Sequence, residues 1–450
     1  MMEYIGIIMF GVALLALLFG FPVGFTFGGV AMIFVCIAKL PDIQHMLQDG
    51  AGFSDIFADI TRTFAFMPYR IQSIMENSVL MAVPLFIFMG VVLEKTRLAE
   101  RLLESMGELF GRVRGGLAIS TVLVGALLAA STGIVGASVV AMGLISLPVM
   151  LKHGYDKRLG CGTICASGTL GQIIPPSIVL IILGDVMGIP VGDLFRAAVA
   201  PGVVLVGLYI LYILYTSWRN PQAAPSLPTE TTDRRKLYTS AILHVLPPLA
   251  LILIVLGSIF AGIATPTESS ALGSVGALLL AVIYRHFSWK LLYEAALDSV
   301  RVTAMVFAIL LGATAFSMAF SYTGGDILVE DALLDLPGDE IGFLALSMLT
   351  ILLLGFFIDF VEISFIIVPI LAPAAEALGI APLWFAILIA MNLQSSFLTP
   401  PFGFSLFYLK GVAPPGVTTT DIYRGVVPFI LIQVAVLVSI LVFPGWYGLA

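Results

Sequence analysis

Long apolar runs separated by short polar segments are the main pattern of this chain. The runs at 2–21, 203–217, 242–263 and 426–443 approach or reach the length of about 20 residues that an α-helix needs to cross a bilayer. By that measure the pattern predicts on the order of ten to twelve membrane elements in an all-α polytopic membrane protein. The first run lacks a preceding basic region and a clear cleavage site, so it is predicted to be a first span.

Composition agrees with this pattern and excludes several classes of protein. Hydrophobic residues make up 60% of the chain and charged residues 11%, whereas soluble domains are about a quarter charged. The net charge of −7 argues against nucleic-acid binding. Neither the three cysteines nor the four histidines have metal-ligand spacing, so no transition-metal site is predicted. With no P-loop, nucleophile elbow or shared polar catalytic cluster, neither an ATP-driven pump nor an enzyme is predicted, and no cofactor is expected.

Four helix-breaking residues recur in the two halves of the chain. They are Pro148, Gly154, Pro175 and Pro176, and, each 225 residues later, Pro373, Gly379, Pro400 and Pro401. Apolar segments interrupted by proline at corresponding places of two halves indicate the binding site of a transporter. The polar stretch 220–236 is the predicted linker between a first repeat at 1–219 and a second at 237–450.

Basic residues on both sides of 115–151 predict how this segment crosses the membrane. Lysines and arginines at 95–114 and 152–158 place both ends on the cytoplasmic side. A straight helix of this length would be about 55 Å long, so the chain must leave and return. We expect a re-entrant hairpin that turns at the small residues 131–138; two closely spaced full spans are the alternative.

The charge bias is reversed in the second half. No lysine or arginine lies between Arg301 and Lys410, and six acidic residues precede the corresponding segment 341–378. This segment is predicted to bend at 355–364 and to enter from the external side. The two halves would then have inverted topology, as in many secondary transporters.

The double prolines predict two broken helices, at 159–188 and 383–412. Proline lacks a backbone donor and disfavours helical geometry in the preceding residue. Broken backbone at membrane depth exposes carbonyls, which together with serine and threonine hydroxyls are ligands that a sodium ion accepts. Opposing helix N-termini offer amide donors to a carboxylate. The alternative is a packing kink that binds no ligand.

The sequence predicts roles for several charged residues. Asp359 and Glu362 lie at the second hairpin tip, where they either assist cation binding or stabilise the tip. Glu268 is predicted to cap a helix start with Thr265. Two arginines that follow an aspartate by three residues, Arg196 and Arg424, are predicted to form surface ion pairs. The alternating pattern at 53–69 predicts a helix along the membrane surface.

At these positions the sequence resembles the large membrane subunit of the tripartite ATP-independent periplasmic (TRAP) transporters, the DctM type. The resemblance rests mainly on Gly168 to Ser177, which ends in Ile-Pro-Pro-Ser, on the Thr-Pro-Thr-Glu block at 265–268, and on 398–403. It implies an ion-transporter-like fold in the bacterial inner membrane, with a scaffold and an elevator-type transport domain. It also implies two partners, a small four-helix DctQ-type membrane subunit and a soluble DctP-type periplasmic binding protein. At 450 residues we expect the small subunit to be a separate chain.

The resemblance also implies site residues. The first sodium site would involve Ser131, Gly133, Ser138, Gly168, Thr169, Ile174 and Pro175. The second would involve Gly355, Asp359, Ser364, Ser395, Ser396, Thr399 and Pro400. The substrate would contact Ser138, Ser167, Ser177, Glu362 and Asn392. The first tip departs from the Ser-Gly-Ser-Ser sequence of many members, and Glu362 replaces a smaller residue.

The function expected from sequence is sodium-coupled symport of a small organic acid that a periplasmic binding protein delivers. The alternative is a sodium/dicarboxylate carrier of the wider ion-transporter class that works without a binding protein. The substrate itself is not predictable, because the binding protein would select it.

Overall fold

The computed structural model describes residues 4–50, 52–96, 98–132, 135–226 and 234–449. Within these ranges the side chains of 98–100, 129–132, 234–238 and 240–241 are outside the description. The described residues form α-helices joined by short turns, and these residues include no β-strand. The all-α class predicted from sequence is therefore confirmed.

Among the described residues, twelve helices precede the predicted linker. They are α1 Ile5–Leu18, α2 Val23–Ala38, α3 Leu40–Gln48, α4 Phe53–Arg62, α5 Met67–Glu76, α6 Ala82–Lys95, α7 Leu98–Phe110, α8 Gly116–Thr132, α9 Val135–Lys152, α10 Lys157–Thr169, α11 Ile178–Val186 and α12 Val191–Arg219. A short 3-10 turn, Leu170–Gln172, extends the end of α10.

The remaining helices begin with the long α13, whose first residues, 234–236, belong to the predicted linker. They are α13 Arg234–Phe260, α14 Pro266–Ile283, α15 Trp289–Tyr322, α16 Gly325–Leu334, α17 Asp339–Leu354, α18 Phe360–Glu362, α19 Val368–Ala377, α20 Pro382–Leu398, α21 Phe404–Val412 and α22 Thr419–Val442. A π-helical turn, Ile363–Ile367, joins α18 to α19 without a break in the helix.

Several of these helices are long and apolar enough to span a membrane. Among the described residues seven pass by length and composition, and an eighth passes if α2 and α3, bent by 48°, count as one span. Three shorter apolar helices, including α1, are additional. The chain is thus a multi-pass membrane protein.

The order of helices from α8 to α12 recurs from α17 to α22. In each series a helical pair is followed by a helix interrupted at a double proline and then by a long helix. Gly154, with φ of 79°, corresponds to Gly379, with φ of 74°, and both lie in the turn before the interrupted helix. A positive φ favours glycine, which explains why this residue recurs at both turns.

The described helices form two compact units, and each unit contains segments from both halves of the sequence. The first comprises 1–78, 303–349 and 358–382, and the second 79–302, 350–357 and 383–450. In the first, the buried ring of Phe316 packs edge-on against Phe27 at 4.9 Å between ring centroids. The predicted boundaries at 219 and 237 concern the repeat, not these units.

The segment predicted to form one surface helix at 53–69 forms two helices instead. Helix α4 ends at Arg62, and α5 begins at Met67 with Pro68 in its first turn, a position that proline favours. The prediction of a single helix is therefore wrong in its extent. Neither helix contains a buried residue, and Lys39 at the end of α2 holds α4 through an ion pair of 2.7 Å with Asp59.

The two ends of the first helical pair lie beside the same short segment. The amide of Gly115, before α8, donates to the carbonyl of Ala224 at 3.0 Å, and the amide of Asp156, after α9, donates to the carbonyl of Ala223 at 2.9 Å. The chain therefore leaves and returns at one end, as the charge pattern predicts. The first residues of the predicted linker 220–236 fasten this end, while residues 227–233 lie outside the described part.

Candidate functional site

The first interrupted helix has its break at the double proline. Helix α10 and its 3-10 turn end at Gln172, and α11 begins at Ile178. Pro175 and Pro176 have no N–H, so the carbonyls of Gly171 and Gln172 lose their helical donors. The hydroxyl of Ser177 replaces one of them by donating to the carbonyl of Gln172 at 2.8 Å.

The second break repeats this arrangement. Helix α20 ends at Leu398 and α21 begins at Phe404, with Pro400 and Pro401 between them. Pro401 removes the helical donor of the Phe397 carbonyl, and the hydroxyl of Ser405 donates to that carbonyl at 2.8 Å. Gln172 and Phe397 are 225 residues apart, so the same carbonyl of each half is held by a serine beyond the break.

The first helical pair packs closely on the helix that precedes the first break. A Cβ at Gly168 of α10 would collide with the side chain of Val139 in α9. A Cβ at Gly125 of α8 would lie 2.5 Å from the Cβ of Ser167. Small residues at these crossings let both helices of the pair approach α10 at the level of the break.

The residues implied for the first sodium site are partly assembled around this contact. Gly168 touches Val139, the neighbour of Ser138, and Ser138 is itself 2% exposed. The Thr169 hydroxyl donates to the carbonyl of Ala166 at 2.9 Å. Ile174 and Pro175 line an apolar groove on the other side of the break. Ser131 is described only by its backbone, and Gly133 lies outside the described residues.

The residues implied for the second site fall into both compact units. In the second unit, a Cβ at Gly355 would collide with the side chain of Ser396, so these two residues are in contact. The hydroxyls of Ser395 and Thr399 donate to the carbonyls of Met391 and Ser395 at 3.0 and 2.7 Å. Pro400 follows Thr399 directly at the break.

Asp359, Glu362 and Ser364 belong to the first unit. The Asp359 carboxylate caps α18 by accepting from the amide of Phe360 at 2.7 Å. This contact agrees with the alternative in which Asp359 stabilises the hairpin tip. Glu362 is 4% exposed and Ser364 is fully buried, and neither the Glu362 Oε2 nor the Ser364 Oγ has a hydrogen-bond partner among the described residues. Ser364 lies in the π-helical turn, a feature that is frequent at functional sites.

The residues implied for the substrate are all buried, Glu362 in the first compact unit and the other four in the second. Ser167 donates to the carbonyl of Thr163 at 2.5 Å, and Ser177 donates to Gln172. Both hydroxyls keep lone pairs that can still accept. Asn392 of α20 and Ser138 of α9 are 1% and 2% exposed.

Three glutamines near the breaks were not singled out from the sequence. The amide of Gln433 in α22 donates to the hydroxyl of Tyr209 in α12 at 2.8 Å and lies 3.3 Å from the Thr169 hydroxyl. Gln172 and Gln394 are fully buried; the side-chain amide of Gln172 has no partner among the described residues, whereas Gln394 lies near the Tyr209 hydroxyl. Buried amides of this kind are costly unless they meet water or a ligand. The sequence signal was a glutamine within a segment that is otherwise apolar or small.

The predictions for surface charges are partly confirmed. Thr265 and Glu268 form the predicted capping box at the start of α14, with Glu268 accepting from the amide of Thr265 at 2.8 Å. Arg196 lies 3.9 Å from Asp193 on an exposed surface. The expected mirror of this pair is wrong for Asp421, which caps α22 with Thr418 instead. Arg301 pairs with Asp298 at 3.4 Å.

The fold and the two breaks define a class: a multi-pass helical membrane protein with paired interrupted helices, as transporters have. A family model described as the DctM component of the tripartite ATP-independent periplasmic transporter matches residues 10–446. The chain therefore belongs to the DctM family of transporter permeases, which is not a family of enzymes.

Curated relatives in this family carry different substrates in their names. The chain is 31% identical over 385 residues to the C4-dicarboxylate TRAP transporter large permease protein of Rhodobacter capsulatus, covering 82% of this chain and 86% of the relative. It is 29% identical to the sialic acid TRAP transporter large permease of Vibrio cholerae, covering 96% and 95%. It is also 29% identical to the isethionate TRAP transporter permease DctMQ of Oleidesulfovibrio alaskensis, covering 96% of this chain and 64% of that protein.

A solved structure shares the fold. The YdaH transporter of Alcanivorax borkumensis superposes with a TM-score of 0.59 at 16% sequence identity, covering 86% of this chain and 90% of YdaH. At this identity the likeness concerns the fold alone.

Proposed function

We propose that this chain is the large permease of a TRAP transporter in the bacterial inner membrane, and that it imports a small organic acid together with sodium. The observation that carries the proposal is the pair of mirrored breaks, each with a serine that holds the carbonyl of Gln172 or Phe397. Breaks of this kind present main-chain oxygen to a hard cation, and sodium is that cation in this proposal. In this proposal sodium is a transported ion and not a resident cofactor.

The proposed sodium ligands are carbonyl and hydroxyl oxygens close to each break. At the first break they come from Gly168, Thr169 and Ile174 with Ser138 from α9, and at the second from Ser395, Ser396 and Thr399 with Gly355. The contacts of Gly168 with Val139 and of Gly355 with Ser396 support this grouping, because α9 and the end of α17 each contact the helix that precedes a break. The proposed elevator motion would carry both breaks across the membrane, with α8–α9 and α17–α19 as re-entrant hairpins.

The proposed substrate is a carboxylate, delivered by a periplasmic binding protein, and the second partner is a small DctQ-type membrane subunit. The substrates named for relatives include C4-dicarboxylates, ectoine and sialic acid. They support an organic acid as the substrate class, but they do not indicate which acid this chain transports. The fused DctMQ relative supports the small subunit. The half-helix N-terminus at Ile178 supplies amide donors suited to a carboxylate.

The proposal is tested by uptake into vesicles that contain this chain with its small subunit. An inward sodium gradient and the cognate binding protein, added outside, should both be required. Uptake driven equally by potassium would contradict the coupling to sodium. Sodium-driven uptake without any binding protein would support the alternative, a carrier of the wider ion-transporter class.

A further inference from the structure

An apolar groove of about 490 Å³ lies beside the first break, within the second compact unit. It is lined by α7, α8, α12, α13 and the residues Ile174 and Pro175. Its volume falls in the range of ligand sites, about 300–1,000 Å³. Every lining residue is apolar or glycine, so the side chains of the groove offer no ligand to a hydrophilic substrate or a cation.

The groove is open to the surface that a membrane would surround. Val203 of α12 and Leu253 of α13 both line it, yet they are 66% and 59% exposed. Both helices contain segments long and apolar enough to span a membrane. In a bilayer this opening faces hydrocarbon chains, which match the apolar lining.

One end of the groove carries a polar and basic cluster made of Arg101, Ser105, His244 and Tyr284. The first three directly precede lining residues, namely Leu102, Met106 and Val245. The hydroxyl of Ser105 lies 2.9 Å from the Nδ1 of His244, whose ring stacks on Tyr284 at 6.4 Å between centroids. Arg101 lies one helical turn before Ser105 on α7, and its positive charge acts on the Tyr284 hydroxyl.

An apolar groove that ends at a cationic cluster has the charge pattern of a phospholipid. We propose that the groove binds one acyl chain of an anionic phospholipid, whose phosphate lies at Arg101 and His244. A basic residue at a membrane surface attracts anionic lipid by about 1 kcal/mol, which corresponds to about fivefold in affinity. The bound chain would contact Ile174 and Pro175, so a lipid would be a direct neighbour of the first break.

The test is lipid titration of the delipidated full-length protein in detergent, read by native mass spectrometry. Dioleoyl phosphatidylglycerol should bind at one saturable site, and dioleoyl phosphatidylcholine about fivefold more weakly. Val203→Trp, which fills the groove from its open side, should abolish that site. The control Leu211→Trp lies on the same helix with 60% exposure but outside the groove, and it should retain the site.

A second pair of variants tests the headgroup contact without changing the groove. Arg101→Gln should weaken phosphatidylglycerol binding about fivefold and remove most of its preference over phosphatidylcholine. Arg112→Gln, which removes an exposed charge that is not in the cluster, should change neither. Equal binding of the two lipids to the wild-type protein, or equal binding to Val203→Trp and wild type, would overturn the proposal.

Discussion

The hydroxyl of Ser177 donates to the carbonyl of Gln172, which Pro176 deprives of its helical donor. The same relationship holds between Ser405 and Phe397, whose helical donor is removed by Pro401. In each break, therefore, a serine hydroxyl beyond the prolines replaces the lost helical donor of one carbonyl. The carbonyls of Gly171 and Ser396 also lose their helical donors, because Pro175 and Pro400 have no N–H, and the Ser396 carbonyl accepts instead from the amide of Thr399 at 3.2 Å.

Substitution of these serines should destabilise the protein. We expect Ser177→Ala and Ser405→Ala each to lower the free energy of unfolding by about 1 kcal/mol, because each leaves a buried carbonyl without its donor. Thermal unfolding of the purified protein measures this. The control Ser217→Ala removes a hydroxyl that donates to a carbonyl inside the continuous helix α12, and it should cost less. An equal loss of unfolding free energy in all three variants would contradict a special stabilising role of the two serines at the breaks.

Gly168 should not tolerate a side chain. Gly168→Ala places a Cβ against Val139, and relief of such overpacking costs about 1–3 kcal/mol or displaces α9 from α10. We expect strongly reduced uptake in vesicles, since α9 would no longer reach the first break. In Gly207→Ala the added Cβ meets nothing within 4 Å, so uptake should remain normal. Normal uptake by Gly168→Ala would show that this contact is not needed.

The buried carboxylate of Glu362 should contribute to cation binding. Glu362→Gln keeps the shape and removes the group that can ionise beside a cation, so we expect the sodium concentration for half-maximal uptake to rise about tenfold. Glu376→Gln changes an exposed carboxylate in α19 and serves as the control. An unchanged sodium dependence in Glu362→Gln would leave this residue a purely structural role.

The capping box of α14 should contribute to stability alone. Thr265→Ala removes the acceptor for the amide of Glu268 and should lower the free energy of unfolding by about 1 kcal/mol. Sodium dependence of uptake should be unchanged, because the box lies at a helix start whose carboxylate is committed to capping. A changed sodium dependence would place Glu268 in the transport site.

The sequence predicted the features that depend on local chemistry. The breaks at Pro175 and Pro400 follow from the missing N–H of proline, and the cap at Thr265 follows from the spacing to Glu268. The return of the chain between Gly115 and Asp156 followed from flanking positive charge. Each of these signals lies within a few residues of the feature it predicts, and it can therefore be recognised in the sequence alone.

The features that depend on packing between distant segments were not predictable in this way. Ser177 and Ser405 face carbonyls that lie five and eight residues earlier, because the two turns differ in length. Gln433 meets Tyr209 only because α22 crosses α12. The single helix expected at 53–69 failed because Pro68 starts a new helix, which alternation of apolar residues does not reveal.

The central claim is that the two breaks bind sodium, and direct binding of ²²Na⁺ to the purified protein tests it. The wild-type protein should bind sodium saturably in a background of excess potassium. Pro175→Ala and Pro400→Ala restore an amide donor to the carbonyls of Gly171 and Ser396, so each should weaken this binding, whereas Pro428→Ala, inside the continuous helix α22, should not. Binding that is absent in the wild type, or equal in all four proteins, would contradict the claim.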